Sequence, residues 1–294
     1  MSDETNQVGD QINNTNSHNQ NESGNQLIGN TVGGNINIGD TYIVQQPDLP
    51  TIDLPFEPEL VFVPEGTFLM GTDEYPAESP SHTVSLANYA ISKYPITNLL
   101  YFEFVCQTNY DVPNKRDWFL GQPLKNRQDL PVVGVSWHDA LAYCHWLSEQ
   151  TRKTYRLPTE AEWEKAARGP NGRLYPWGND WRDKQCNQGN VKLTAVNAYD
   201  HSSSHYDCVD LIGNVQQWTS TLWGDDRKVP QFSYPYQHDE REQMEAEDGR
   251  FRLRRIVRGA SYSDSIEASR LTNRRSARPQ QTTLTRGFRI VQGQ

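Results

Sequence analysis

The first 48 residues hold ten Asn, six Gln and six carboxylates but no Lys or Arg, so the core of this 294-residue chain must come from the rest of its length. Their large apolar residues come in short pieces: Leu27-Ile28, Thr31-Val32, Ile36-Asn-Ile38 and Tyr42-Ile-Val44. Between these pieces a Gly-Asn dipeptide recurs at Gly24-Asn25, Gly29-Asn30 and Gly34-Asn35, and Gly39-Asp40 comes next. Gly and Asn tolerate left-handed backbone angles, so the pairs mark turns between β-prone segments. Strands this short cannot bury enough surface alone. Three readings stay open for residues 1–48: a disordered tether, a small β-structure completed by homo-oligomerisation through residues 24–44, or a polar cross-β segment. Pro47, Pro50 and Pro55 mark the passage through a linker at residues 49–59.

Residues 60–294 read as one α+β domain. Leu60 to Gly71 is strand, turn and strand, and His82 to Pro95 alternates as a half-buried strand does. Thr97 caps a helix over Asn98 to Thr108, with Leu100, Phe104 and Val105 on one face. A second helix begins after Ser136, with Asp139 in its first turn and Ala140, Tyr143, Cys144 and Leu147 as its apolar stripe. Thr159 and Glu162 form a capping box for a third, which runs through Trp163 to Ala167. From Tyr175 onward the chain is Trp-rich loop, turn and short strand, where surface loops carry recognition.

The four cysteines, Cys106, Cys144, Cys186 and Cys208, are widely spaced and form neither a C-x-x-C pair nor a dense disulfide framework. Cys144 lies in an apolar helical run and reads as a buried reduced thiol. No apolar stretch approaches the ~18 residues that span a bilayer. The start, Met1-Ser-Asp-Glu-Thr-Asn, lacks the basic and apolar regions of a signal peptide, so a cytoplasmic location without a membrane partner is expected. His201 and His205 beside Asp200 and Asp207 read as a solvated loop rather than a zinc site. The last 45 residues hold eleven arginines against Asp264 and Glu267. Such an end either attracts nucleic acid or an acidic partner, or supplies internal struts. Struts are the preferred reading. The insertion at residues 234–249 is acidic and reads as a solvated loop or lid beside that basic end, with charge that could neutralise part of the basic run.

Several longer motifs succeed one another in a fixed order. Gly66-Thr-Phe-Leu-Met-Gly71 precedes Glu78-x-Pro80-x-His82-x-Val84, then Lys93-Tyr-Pro-Ile-Thr-Asn98 and Val132-Val-Gly-Val-Ser-Trp-His-Asp-Ala140. Next come Tyr155-Arg-Leu-Pro-Thr-Glu-Ala-Glu-Trp-Glu-Lys-Ala-Ala-Arg168, Tyr175-Pro-Trp-Gly-Asn179 and Asp210-Leu-Ile-Gly-Asn-Val-Gln-Gln-Trp218. Arg258-Gly-Ala-Ser261 and Gly287-Phe-Arg-Ile290 close the series. Together they resemble the formylglycine-generating enzyme, or sulfatase-modifying factor, family, and the resemblance implies a C-type-lectin-like fold. Arg156, Glu160, Glu162 and Trp163 are expected in the core as hydrogen-bonding and packing residues, not as a catalytic carboxylate pair.

The resemblance also implies what is missing. Catalysis in that family depends on a cysteine pair inside the segment that here reads Arg258 to Ser269, yet no cysteine comes after Cys208. A thiolate is the nucleophile and soft-metal ligand in such chemistry, and Ser263, Asp264 or Ser269 cannot replace it. The expectation is a non-catalytic ligand-binding protein with neither copper nor iron. The alternative is a sulfatase-modifying or iron-dependent oxidoreductase relative. A family calcium loop matches Asp210 to Gln217, so Asp210 and Gln217 side chains and Gly213 and Val215 carbonyls could hold a structural Ca²⁺. The second family calcium loop is short here, at Cys186 to Asn190, and no metal is expected there.

Residues 258–289 further resemble the variable region of diversity-generating-retroelement target proteins, which diversify a binding face on this scaffold. Tyr262, Ser263, Asp264, Ser265, Glu267, Ser269, Leu271, Arg275, Thr282 and Thr283 are then the candidate ligand-binding residues, with Trp223 or Tyr236 as a further aromatic anchor. A few rigid aromatics among small polar residues is the composition paratopes favour.

Overall fold

The computed structural model describes residues 53–242 and 253–293; the readings for residues 1–48 and for most of the acidic insertion's second half lie outside the described residues. Three helices start where the capping chemistry places them. Helix α1 (Asn98–Thr108) begins with the Thr97 side chain accepting from the Leu100 N–H, and it ends at Asn109 in the left-handed region. Reciprocal capping boxes, Ser136 with Asp139 and Thr159 with Glu162, open α2 (Trp137–Thr151) and α3 (Glu160–Arg168).

Strands β1 (Leu60–Val63) and β2 (Gly66–Met70) form as expected. The next stretch, which alternates throughout, is not one strand. It breaks at Ala87 and Asn88 into β3 (His82–Leu86), paired with β2, and β4 (Tyr89–Ser92), paired with β1. Period-two alternation reports which faces are buried, not which neighbour a strand joins, so the break leaves no trace in the pattern. Short pieces come after: β5 (Trp118–Phe119), β6 (Gln122–Pro123) and β7 (Tyr155–Arg156).

The second half contains the element that organises the binding face. Strand β8 (Gln216–Gly224) is nine residues long and buried along nearly its whole length. It sits between β9 (Arg254–Arg258) and β11 (Arg286–Phe288), with β10 (Arg275–Ala277) outside β9. The last strand, β12 (Val291–Gln292), returns to pair with both β4 and β7 and so ties the end of the domain to its beginning. Two large apolar clusters hold these layers, one around Trp163 with Ile91, Cys208 and Leu271, the other around Tyr101, Tyr143, Trp218 and Phe288, and a small third gathers Leu130, Val133, Leu193 and Val215. Within the stretch read as linker, Phe56 stacks on Trp146 of α2 at 5.3 Å, and Glu57 joins Lys153 at 2.9 Å. Cys144, Cys186 and Cys208 are buried free thiols, and Cys106 is an exposed one. No helix among the described residues is long and apolar enough to cross a membrane.

Candidate binding face

Among the described residues, Arg258, Arg270, Arg274 and Arg289 of the basic end are struts. Arg258 and Arg274 both reach Glu160, at 3.1 and 2.7 Å, and Arg258 also reaches Glu164. Glu164 in turn holds Arg168 at 2.9 Å and accepts from the Gly71 N–H at 2.7 Å. Glu160, Glu164 and Arg258 are 0% exposed. Burial pushes the Glu160 pKa up, but Arg274 and Arg258 outweigh it and hold the carboxyl below its ordinary value. Arg270 pairs with Glu78, and Arg289 donates to Gln217 and to the carbonyls of Ser92 and Val209. Arg156 with Glu162 and Trp163 with Gln217 complete the internal network expected for that helix.

The segment after Gly259 closes on itself. Asp264 accepts from the Ser261 N–H and hydroxyl, both at 2.7 Å, from Gln216 at 3.0 Å and from Arg275 at 2.7 Å. Burial alone would raise its pKa, but these donors lower it, so the residue is a fixed carboxylate. Ser263 contacts the Ser261 hydroxyl at 3.2 Å and is otherwise exposed.

The candidate ligand residues fall into three groups. Ser263, Ser265, Glu267 and Thr282 are exposed. Tyr262, Asp264, Arg275 and Thr283 are half-buried; Tyr262 packs on Leu130, Val133, Leu193 and Val215, and the Thr283 carbonyl accepts from Gly134. Ser269, Leu271 and Trp223 are interior. Ser269 donates to the Ser265 carbonyl at 2.8 Å and Trp223 to the Asp226 carbonyl at 2.7 Å, so both are committed within the protein. Tyr236 is likewise buried, bonded to Glu242 and stacked on Arg241.

The Asp210 loop corrects part of the calcium expectation. Gln217 Oε1 accepts from Trp163 at 2.8 Å and from Arg289 at 2.6 Å, while its Nε2 donates to the Asp210 carbonyl. The amide is therefore turned into the protein and is not an oxygen donor for a metal, and a guanidinium already stands beside the loop. Asp210 Oδ2 accepts from Asn214 at 2.7 Å, whereas Oδ1 is buried without a partner. Calcium takes six to eight oxygens. With Gln217 withdrawn, the four-donor set of Asp210, Gly213, Val215 and Gln217 does not fit the ion. Burial pushes the Asp210 pKa up to about 7, against the pull of Asn214 and Arg289. Among the described residues no group of three or more His, Cys, Asp or Glu could hold a metal, the His201–His205 stretch included.

All four strands of the β8 sheet contribute to a groove of about 1060 Å³. Gln216, Arg254, Arg275 and Arg286 line it together with the Arg278 turn and the Arg227–Lys228 loop, and no cysteine does. Arg275 and Trp223 are the only candidate ligand residues on its lining. Arg254, Arg278 and Arg286 were legible only as members of a basic run; sequence does not tell which arginines meet a carboxylate.

A sequence pattern described as the sulfatase-modifying factor enzyme 1-like domain matches residues 46–294. The chain belongs to this family. Among relatives of the sulfatase-modifying factor domain, the mouse protein named inactive C-alpha-formylglycine-generating enzyme 2 is 30% identical over 80% of this chain and 86% of its own length. The formylglycine-generating enzyme of Mycobacterium tuberculosis is 29% identical over 55% of this chain and 74% of its own. The structure of PvdO from Pseudomonas aeruginosa superposes with a TM-score of 0.66 at 25% identity, covering 85% of this chain and all of PvdO. Treponema denticola variable protein 1 shares the fold, with a TM-score of 0.62 at 21% identity over 79% of this chain and 94% of its own.

Proposed function

We propose that this sulfatase-modifying factor domain binds a ligand without transforming it, through the β8-sheet groove and the loops beside it. The observation that carries the reading is Asp264. Where the family resemblance puts a reactive thiol, this chain has a carboxylate that accepts four hydrogen bonds and fixes Ser261, Gln216 and Arg275. Such a group holds a loop in shape and has no redox chemistry. The mouse relative named as inactive supports the reading. The mycobacterial enzyme favours the alternative, a sulfatase-modifying oxidoreductase. The test is to incubate the full chain with a sulfatase-motif cysteine peptide and copper and analyse the peptide by mass spectrometry. No formylglycine is expected; formylglycine above that in a protein-free control with copper would overturn the proposal.

We further propose that residues 258–289 are diversified by a retroelement. The exposed Ser263, Ser265, Glu267 and Thr282 alternate with buried framework at Arg258, Arg274 and Gly287, so they can vary without touching the core. Near-copy template DNA beside the gene, with a reverse transcriptase, is the expected finding; its consistent absence from genomes carrying this chain removes the idea. Self-association through residues 24–44 completes the proposal and predicts that removing residues 1–48 lowers the mass seen by light scattering. Four unpaired thiols fit a reducing compartment.

A further inference from the structure

We infer that the β8-sheet groove is a site for a small ligand carrying two or more phosphate groups. The inference rests on the reading of a non-catalytic binding domain and names what that domain binds. Arg227, Lys228, Arg254, Arg275, Arg278 and Arg286 line the groove, with Asp225 as the acidic lining residue. Arg275 is paired with Asp264, and Arg274, which also lines it, with Glu160. The other five cations make no ion pair among the described residues, and with Asp225 on the lining and Asp226 close to Lys228 and Arg254 they keep three positive charges in excess.

Two of the five are buried, which is costly without a counter-charge. Arg254 is 9% exposed and Arg286 7%. Arg254 spends its donors on Ser276, at 2.8 and 3.0 Å, and not on a carboxylate. Arg286 lies 4.4 Å over the Trp218 ring, its hydrogen bond to the Gln281 carbonyl is 3.5 Å long, and its buried Nε has no acceptor. Burial, then repulsion from Arg254 and Arg275, lowers the Arg286 pKa to about 10; burial, Arg278 and Arg227 lower that of Arg254 against the pull of Asp225 and Asp226. The site therefore holds desolvated guanidinium donors that repel one another until an anion arrives.

The chemistry selects among anions. Guanidinium forks match phosphate oxygens in pairs, and one phosphate group offers several acceptors and up to two charges. A groove of about 1060 Å³ is too large for one phosphate and suits a nucleotide-sized molecule. Single-stranded nucleic acid would need aromatic faces on which bases stack. Here Trp218 is covered by Arg286 and Trp223 by Arg274, so no such platform is open.

Calorimetric titration of the full-length protein with tripolyphosphate at low ionic strength tests this. Micromolar binding is expected, weakened about tenfold by Arg286→Gln or Arg254→Gln and about threefold by Arg278→Gln. Arg278 is exposed, so its variant keeps the test open if a buried one does not fold. Hexaglutamate and a single-stranded oligonucleotide should bind at least about tenfold more weakly. No binding of tripolyphosphate, equal binding of either control, or variants that bind like wild type would overturn the inference. Absent tripolyphosphate binding with no formylglycine in the peptide assay sinks the phosphate assignment alone. Formylglycine production sinks the non-catalytic reading beneath it.

Discussion

Arg258 and Arg286 flank the same central strand, one on β9 and the other on β11, and both are buried. Arg258 meets two carboxylates and the carbonyls of Leu271 and Thr272, and its pKa rises because Glu164 and Glu160 outweigh the cost of burial. Arg286 meets a tryptophan face and one distant carbonyl, and its pKa falls. Identical side chains on one sheet thus do opposite work. The first closes the core around α3; the second keeps an uncompensated charge at the floor of a groove. Proteins retain such destabilised groups where function uses them.

The largest effect should come from breaking the strut side. Glu160→Gln leaves Arg258 and Arg274 short of a shared buried counter-charge, and denaturant unfolding should show a loss of about 3–5 kcal/mol. A loss under about 1 kcal/mol would mean that Glu164 alone balances the cluster. Next is Asp264→Ala, which removes four accepted hydrogen bonds and should cost about 2–3 kcal/mol. It also frees Arg275 to face the groove, so tripolyphosphate affinity should rise about threefold, the opposite of the groove variants.

Asp210 sharpens the comparison from the acidic side, as a buried carboxylate with too little positive charge around it. Its pKa is about 7 in the fold against an ordinary 3.8, so the folded state keeps a proton that the unfolded chain releases. That stabilisation is complete below about pH 4 and is lost as pH rises through about 7. Asp210→Asn should therefore flatten the fall of melting temperature between pH 5 and 8, a difference of about 2–3 kcal/mol. An unchanged slope would show that Asp210 ionises normally.

Much of this was legible in the chain. Thr97, Ser136 and Thr159 announced their helices because capping is local chemistry, and the motif around Glu160 announced a core network. The split between β3 and β4 was not legible, since alternation carries no information about partners. Nor was the turning of Gln217: its spacing fits a donor to a metal, but Trp163 and Arg289 arrive from residues 54 and 72 positions away. The candidate ligand set failed to separate exposed Ser263 and Thr282 from interior Ser269 and Leu271 because small polar and apolar residues alternate there without a regular period. The arginines showed as a run, and only their partners divide the run into struts and site.

One substitution made at two positions tests that division directly: Arg258→Met and Arg286→Met, compared by denaturant unfolding without ligand. Methionine keeps the length and packing of the side chain while removing its charge. Arg258→Met should lose about 3–5 kcal/mol, whereas Arg286→Met should stay level or gain on the order of 1 kcal/mol. Equal losses at both positions would contradict the division, because Arg286 would then be one more strut.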